Sequence, residues 1–355
     1  MKTHLLLPAL LLLAACGDKD GDDTADIADD SGATDTDATN PDLPDYSQPG
    51  PYAVGTMDAE IVGSTGVDLK VQVWFPADAP GTETVVYDFL LDGNAYTDVS
   101  PSCAESHPVL LFSHGYGGVR WQSGYLMEHL ASHGYMVVAP DHTFNTIFDD
   151  DGSKFEEVLV RRPQDIADSF DWAVSQSDDS SNAMAGCINE ADGYAVSGHS
   201  FGGYTTYAAA GATLSNEGET FSLGDDRVWA AAPLAPWHAY LLLDGGTADI
   251  TVPVMTLSGT RDETTTWDEV TDLHGALTVS PRYLGEFPDG GHYSFAPLAC
   301  DFAYEGDGCG DDFIALDVAA SLTSTAVVVF LEETRGMTGA IQQLPVDDAL
   351  IWTAE

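Results

Sequence analysis

From residue 52 onward, short apolar runs alternate with amphipathic stretches. Tyr52 to Val62 and Asp68 to Phe75 show strand-like alternation on either side of the turn Gly63-Ser64-Thr65-Gly66. Val85 to Leu91 reads as a third strand or a weakly paired insertion. Pro108-Val109-Leu110-Leu111-Phe112 is a continuous apolar run, the pattern of a strand buried on both faces. Tyr125 to His133 puts Leu126 and Leu130 on one helical face and stops at Gly134. Tyr135 to Ala139 is the next strand and ends in Pro140-Asp141-His142. After a polar, acidic loop from Asn145 to Lys154, Arg161-Arg162-Pro163 is expected to open a helix. Its buried face would carry Ile166, Phe170, Ala173 and Val174. An apolar strand then runs from Tyr194 into Gly198-His199-Ser200-Phe201-Gly202-Gly203, followed by a small-residue helix from Tyr204 to Gly211. Val228 to Ala232, Val252 to Ser258 and Arg282 to Phe287 are further strands, and Phe313 to Glu333 is a long final helix. Strands and helices in alternation imply a mostly parallel central sheet with helices on both faces. No internal repeat is evident.

The first 48 residues follow a different pattern. Met1-Lys2, the apolar Leu5 to Leu13 and then Leu13-Ala14-Ala15-Cys16 have the layout of a signal peptide over residues 1–15. That apolar run is too short to span a bilayer as a mature helix. Leu-Ala-Ala-Cys resembles a bacterial lipobox, which implies that Cys16 becomes the lipidated first residue of an exported, membrane-anchored protein. Residues 16–48 are rich in Asp, Thr, Ala and Gly, with almost no large apolar side chains, and read as a disordered acidic tether. The catalytic domain is expected to occupy residues 49–355. With 11 Lys and Arg against 58 Asp and Glu, the net charge is −47. Such a chain lacks the basic patch that nucleic acid requires and repels anionic substrates at long range.

Candidate chemistry centres on Ser200. A Gly-x-Ser-x-Gly between a strand and a helix is the nucleophile elbow of the α/β-hydrolase fold, where a sharp turn lifts the Ser above the sheet. In that fold the nucleophile is followed by an acid and then a His. Asp262 and His292 fit this order, each just beyond an apparent strand, although Glu263 could replace Asp262. His292 would take the Ser200 proton, and Asp262 would orient the imidazole. Acyl transfer also needs two backbone N–H donors for the oxyanion. Phe201, after the nucleophile, and Tyr116, in the loop Ser113-His114-Gly115-Tyr116-Gly117-Gly118, occupy the expected places. His114 reads as a brace for that loop, and His142 as a structural or rim residue.

Three segments resemble the platelet-activating-factor acetylhydrolase and dienelactone-hydrolase-like group. They are Leu111-Phe112-Ser113-His114-Gly115-Tyr116-Gly117-Gly118, Leu130-Ala131-Ser132-His133-Gly134-Tyr135, and Gly198 through Gly203. Ala235-Pro236-Trp237, Val252-Pro253 through Asp262, and Gly290-Gly291-His292 are more similar to bacterial cutinases and polyester hydrolases. The resemblance covers most of residues 105–300. It implies that Tyr116 and Phe201 form the oxyanion hole and that Tyr116 and Trp237 wall the acyl or aromatic subsite. Two departures stand out. Ala235 and Pro236 lie where the acetylhydrolases place their acid, and the nucleophile is Ser where dienelactone hydrolases use Cys.

Five cysteines are present. With Cys16 lipidated, Cys103, Cys187, Cys300 and Cys309 form an even set, which in an exported chain reads as two disulfides with three possible connectivities. Cys300–Cys309 with Cys103–Cys187 is the preferred pairing. Zinc is the rival, but no Cys-x-x-Cys pair supports it. The acidic residues Asp301, Glu305, Asp307, Asp311 and Asp312 read as a solvated loop ahead of a calcium site. The expected protein is a serine carboxylic-ester hydrolase that needs no cofactor or metal. Its substrates would be neutral short-chain, lipid or polyester-type esters. A peptidase or acyltransferase on the same fold, or a non-catalytic cell-surface binding protein, are the alternatives.

Overall fold

The computed structural model describes residues 43–355 apart from 217, 240, 241, 243, 244, 303 and 304. The expected signal peptide, Cys16 and most of the expected acidic tether lie outside the described residues. The folded body begins ahead of the expected boundary at residue 48. Tyr46 is buried, and its carbonyl accepts a hydrogen bond from His129 Nε2 at 3.0 Å.

In chain order the body opens with β1 (Ala53–Val62), β2 (Asp68–Ala77) and the hairpin β3 (Thr84–Tyr87) and β4 (Leu91–Tyr96). It continues through β5 (Val109–Ser113), α1 (Gly124–Ser132), β6 (Met136–Pro140), α2 (Phe155–Asp178), β7 (Tyr194–His199) and α3 (Phe201–Ala209). A small hairpin, β8 (Thr213–Asn216) and β9 (Glu219–Ser222), precedes β10 (Val228–Leu234), β11 (Val254–Gly259), α4 (Trp267–Ala276) and β12 (Arg282–Phe287). The one-turn α5 (Leu298–Asp301), α6 (Leu316–Thr334) and β13 (Ile351–Ala354) complete it.

Among the described residues, eleven strands form one sheet in the order β13-β12-β11-β10-β7-β5-β6-β2-β1-β4-β3. The six strands from β12 to β6 run parallel, while β2 joins β6, β1 joins β2 and β13 joins β12 antiparallel. The continuous apolar run of β5 divides between two cores. Val109 and Leu111 pack with Phe170, Tyr204 and Tyr207 under α2 and α3. Leu110 and Phe112 pack with Leu126, Leu130, Val327 and Phe330 under α1 and α6. Side chains alternate across a strand, so a strand covered on both faces needs an apolar residue at every position. Each fully buried residue of this kind contributes about 1.5–3 kcal/mol.

The chain leaves β5 toward β6 on one side and returns to β7 on the other. This reversal opens a crevice at the carboxyl ends of β5 and β7, the place where sheets of this type bind ligands. Both Ser113–Gly118 and Ser200 sit there.

One predicted boundary is corrected. The helix expected to open at Arg161-Arg162-Pro163 starts at Phe155, with Glu156 and Glu157 in its first turn, and Pro163 is internal. An internal Pro deprives the carbonyl four residues earlier of its N–H partner. Here the Leu159 carbonyl accepts the Tyr204 hydroxyl at 3.2 Å instead, so α3 stabilises the interruption. The final helix starts at Leu316, three residues later than its pattern suggested. The pattern reading passed over α4, although the capping box Thr266-Trp267-Asp268-Glu269 announces it; Glu269 Oε2 accepts the Thr266 N–H at 3.1 Å. Both disulfides pair as preferred, Cys103 with Cys187 and Cys300 with Cys309. They mark an oxidising, extracytoplasmic setting. Among the described residues no helix is long and apolar enough to cross a membrane.

Candidate active site

Ser200 lies between β7 and α3 with φ 58° and ψ −114°, a conformation that L-residues rarely adopt. Its neighbours explain how the strain is held. A Cβ on Gly198 would fall 2.5 Å from the Gly202 carbonyl oxygen, and one on Gly202 would fall 1.8 Å from that of Ser113. Only glycine lets these backbones approach. The Ser200 N–H donates to the Leu234 carbonyl at 3.0 Å, and its own carbonyl accepts the Trp237 N–H at 2.9 Å. The turn is thus bolted to the end of β10 on both sides.

Asp262 and His292 lie beyond the ends of β11 and β12, and the fold brings them together. His292 Nδ1 is 2.9 Å from Asp262 Oδ2, and both side chains are buried. Asp262 Oδ1 accepts the backbone N–H groups of Thr264 at 2.9 Å and Thr265 at 2.6 Å. The Thr265 hydroxyl donates to Asp262 Oδ2 at 2.8 Å and lies 3.2 Å from His292 Nδ1. Both carboxylate oxygens are therefore engaged, and Oδ2, shared with the Thr265 hydroxyl, orients the imidazole. Glu263 is exposed, so the short turn after β11 turns Asp262, and not its neighbour, toward His292.

The acidic stretch read as a solvated loop is corrected at Asp307, which lies inside the Cys300–Cys309 loop and is only partly exposed. Its carboxylate accepts the backbone N–H of His292 at 3.0 Å and of Glu263 at 2.9 Å, and the Thr264 hydroxyl at 2.6 Å. One side chain ties the acid loop to the histidine loop. Glycines at 306 and 308, both with positive φ, flank it and offered a faint signal of a special turn. Among the described residues, no group of three or more His, Cys, Asp or Glu is placed to hold a metal ion.

The Gly-rich loop after β5 forms a turn closed by the Gly118 N–H on the Gly115 carbonyl at 3.1 Å, with Gly117 at φ 62°. Tyr116 is the second residue of that turn. The Phe201 N–H is the first of α3, one of the four that a helix leaves without an internal acceptor. Beneath the loop, Arg162 is fully buried. Its Nη1 donates to Asn145 Oδ1 at 2.6 Å and its Nη2 to Ser113 Oγ at 3.1 Å. Nη2 also donates to the His114 carbonyl, and the guanidinium lies 4.3 Å from the Phe201 ring centre. Burial pulls its pKa down, opposed by the charge of Asp165.

His114 Nε2 accepts the His142 backbone N–H at 3.0 Å, so His114 braces the loop. Ser113, His142 and Asp165 form a second Ser-His-Asp chain with both contacts at 2.9 Å. All three are inaccessible, Arg162 occupies Ser113 Oγ, and burial pulls the His142 pKa well below its ordinary value. This chain is a support for the loop.

His199, the residue before Ser200, holds the floor. Its Nε2 lies 3.0 Å from the His292 carbonyl and its Nδ1 3.1 Å from Gln122 Nε2. Burial keeps it neutral, with a pKa well below the ordinary value. Trp237 meets the Phe201 ring edge-on at 5.2 Å and the Phe155 ring at 6.1 Å, and with Tyr116 these rings line a cavity of about 220 Å³ that reaches Ser200. A second cavity of about 410 Å³ is lined by Ser200 and His292 together with Tyr116, Trp121, Leu298 and Phe302.

A parallel sheet of this order, with a strained Ser turn after one strand and an acid and a His after two later ones, defines the α/β-hydrolases, and the chain has that fold. A family model described as chlorophyllase matches residues 95–223. That span runs from β4 through the elbow to β9. Among curated proteins, the chain is 29% identical over 190 residues to cutinase est2 of Thermobifida alba, covering 53% of this chain and 48% of that protein. It is 30% identical over 159 residues to cutinase est1 of the same organism, covering 44% and 43%. To cutinase 2 of Thermobifida cellulosilytica it is 28% identical over 190 residues, covering 53% and 55%. The chain thus spans about half the length of the curated relatives it matches.

Proposed function

We propose that this protein is a serine carboxylic-ester hydrolase working through an acyl-enzyme on Ser200. The observation that carries the reading is the Asp262–His292 pair, 2.9 Å apart, beside a Ser on a strained turn that lines the same cavity as the His. In this reading His292 Nε2 takes the Ser200 proton as Oγ attacks the ester carbonyl. The oxyanion is held by the N–H groups of Tyr116 and Phe201. His292 then gives the proton to the leaving alcohol, and Asp262 stabilises the imidazolium between the two transfers. Water repeats the sequence on the acyl-enzyme. Similarity to cutinases supports neutral esters, of short-chain, lipid or polyester type, and the strongly negative chain supports the same choice by excluding anions.

The reading extends to location. Residues 1–15 act as a signal peptide, Cys16 carries the lipid, the acidic stretch after it forms a tether that ends where the folded body begins, ahead of Tyr46, and the folded body carries the catalysis at the cell envelope. The two disulfides support export.

The test is hydrolysis of p-nitrophenyl acetate, butyrate and octanoate by residues 43–355, beside Ser200→Ala. The expected result is turnover by the parent and a loss of about four orders of magnitude in the variant. Equal slow rates in both, with no labelling of Ser200 by a fluorophosphonate, would reject the reading.

A further inference from the structure

Two cavities meet at Ser200, and they are unlike in size and in walls. The smaller, about 220 Å³, is lined by the rings of Tyr116, Phe155, Phe201 and Trp237, which pack against one another. The larger, about 410 Å³, falls in the range of small-molecule sites and carries no charged side chain among its described lining residues. Ser200, Tyr116 and Thr264 belong to both.

The chemistry assigns the two halves of an ester to them. In the acylation step Ser200 Oγ bonds to the carbonyl carbon, and the bond from that carbon to the alcohol oxygen breaks. The electron pair stays on the alkoxide oxygen, which takes the proton that His292 received from Ser200. The alcohol must therefore leave on the side where His292 stands. His292 and Tyr293 line the larger cavity and are not among the described residues of the smaller one. The acyl group is left with the aromatic slot beside Phe201.

The outer wall of the larger cavity is a fixed part of the fold. Leu90, half exposed, sits at the turn of the β3–β4 hairpin. Asp88 in that turn accepts Trp121 Nε1 at 2.8 Å and pairs with Arg120 at 3.0 Å. The hairpin tip is thus anchored to Trp121, itself a wall residue. Leu298, Ala299 and Phe302, carried by α5 and the start of the Cys300–Cys309 loop, also line the larger cavity.

We infer that the enzyme is specific for esters of a bulky apolar alcohol with a short or flat acyl group, the alcohol filling the cavity closed by Leu90 and Phe302 and the acyl group the slot walled by Trp237. This rests on the ester-hydrolase reading above and adds the direction in which the ester lies.

Octyl acetate and methyl nonanoate decide it, because they are isomers that differ only in which side of the ester carries the long chain. The expected kcat/KM of the parent for octyl acetate exceeds that for methyl nonanoate by about tenfold or more. Leu90→Trp, which fills the alcohol cavity, lowers the ratio of octyl acetate to ethyl acetate turnover by about fivefold or more. Trp237→Ala, which opens the acyl slot, raises the ratio of methyl nonanoate to octyl acetate. Ratios within one variant cancel any loss of folded protein. A parent that prefers methyl nonanoate or treats both alike, or variants that leave these ratios unmoved, overturns the inference while the ester-hydrolase reading stands. A parent inert on ethyl acetate and on both isomers overturns the two together.

Discussion

Gly202 shows how much of the site depends on single atoms. A methyl group there would fall 1.8 Å from the Ser113 carbonyl oxygen and 2.6 Å from its carbon, and both are backbone atoms that cannot swing aside. Those atoms belong to β5 and lead into the Tyr116 loop, so the clash would separate the Ser200 turn from the Tyr116 loop. Gly202→Ala is expected to cost about 3 kcal/mol or more, by the mechanism of overpacking against strained backbone. Gly275, exposed near the end of α4 with nothing within 4 Å of its missing Cβ, is the contrast. Gly275→Ala is expected to stabilise by about 0.5–1 kcal/mol through helix propensity. Urea midpoints of the two variants check both signs. The requirement for Gly202 was legible in the Gly-x-Ser-x-Gly pattern. The identity of the clashing atom was not, since Ser113 lies far back in the chain.

At the scale of elements, the proposed catalytic side chains depend on loops that no strand controls alone. Asp262 and His292 project from separate strand ends, and Asp307 joins those two ends through three hydrogen bonds. The Cys300–Cys309 disulfide closes the loop that presents it. Asp307→Ala leaves the His292 and Glu263 N–H groups and the Thr264 hydroxyl without this acceptor. Small displacements of a catalytic base are costly. The expected effect is a fall in kcat of about 10- to 100-fold with KM changed by less than about threefold. Steady-state kinetics on p-nitrophenyl butyrate measures it, and a rise in KM with kcat preserved would assign Asp307 to substrate binding instead. The elements themselves were largely readable. Among the parallel strands, β5, β6 and β10 announce themselves as nearly continuous apolar runs, because burial on both faces leaves little room for polar positions, while β12, with Arg282 and Glu286, is only partly buried. The start of α2 was misplaced because Pro163 looks locally like a first-turn residue, and its tolerance depends on the Tyr204 hydroxyl from another helix.

At the scale of the whole molecule, the half-buried His129 and the buried His274 contribute to the response to acid. His129 and His274 have their pKa values pulled down to about 4, chiefly by burial, with His133 and Arg282 respectively adding repulsion. Unfolded, each titrates near its ordinary value of about 6.5. Between those two values the unfolded chain binds more protons than the folded one, so stability rises with pH there. Their contribution is fully present above about pH 6.5 and is lost as pH falls toward about 4. Melting temperatures of His129→Gln and His274→Gln, followed over that range against the parent, are expected to show a shallower acid loss in each variant. Parallel curves would place the acid response elsewhere. The net charge of −47 works in the opposite direction, since protonating carboxylates relieves repulsion. The comparison with single variants removes that shared background.

What the sequence determined by itself was whatever adjacent residues express. Strand and helix periods, the glycines around Ser200, the order of Ser, acid and His, and the even set of cysteines all fall in this group. These are local because backbone geometry and burial act on contiguous positions. Tertiary structure alone decided the matters that depend on distant atoms meeting. It selected Asp262 over Glu263, since only the former faces His292. It brought Thr265, Asp307, His199 and Arg162 to the site from segments whose own patterns say nothing of chemistry. It also divided the space at Ser200 into two cavities of different size. A cavity is bounded by side chains from many loops, and its shape exists only once the long-range contacts that place those loops have formed.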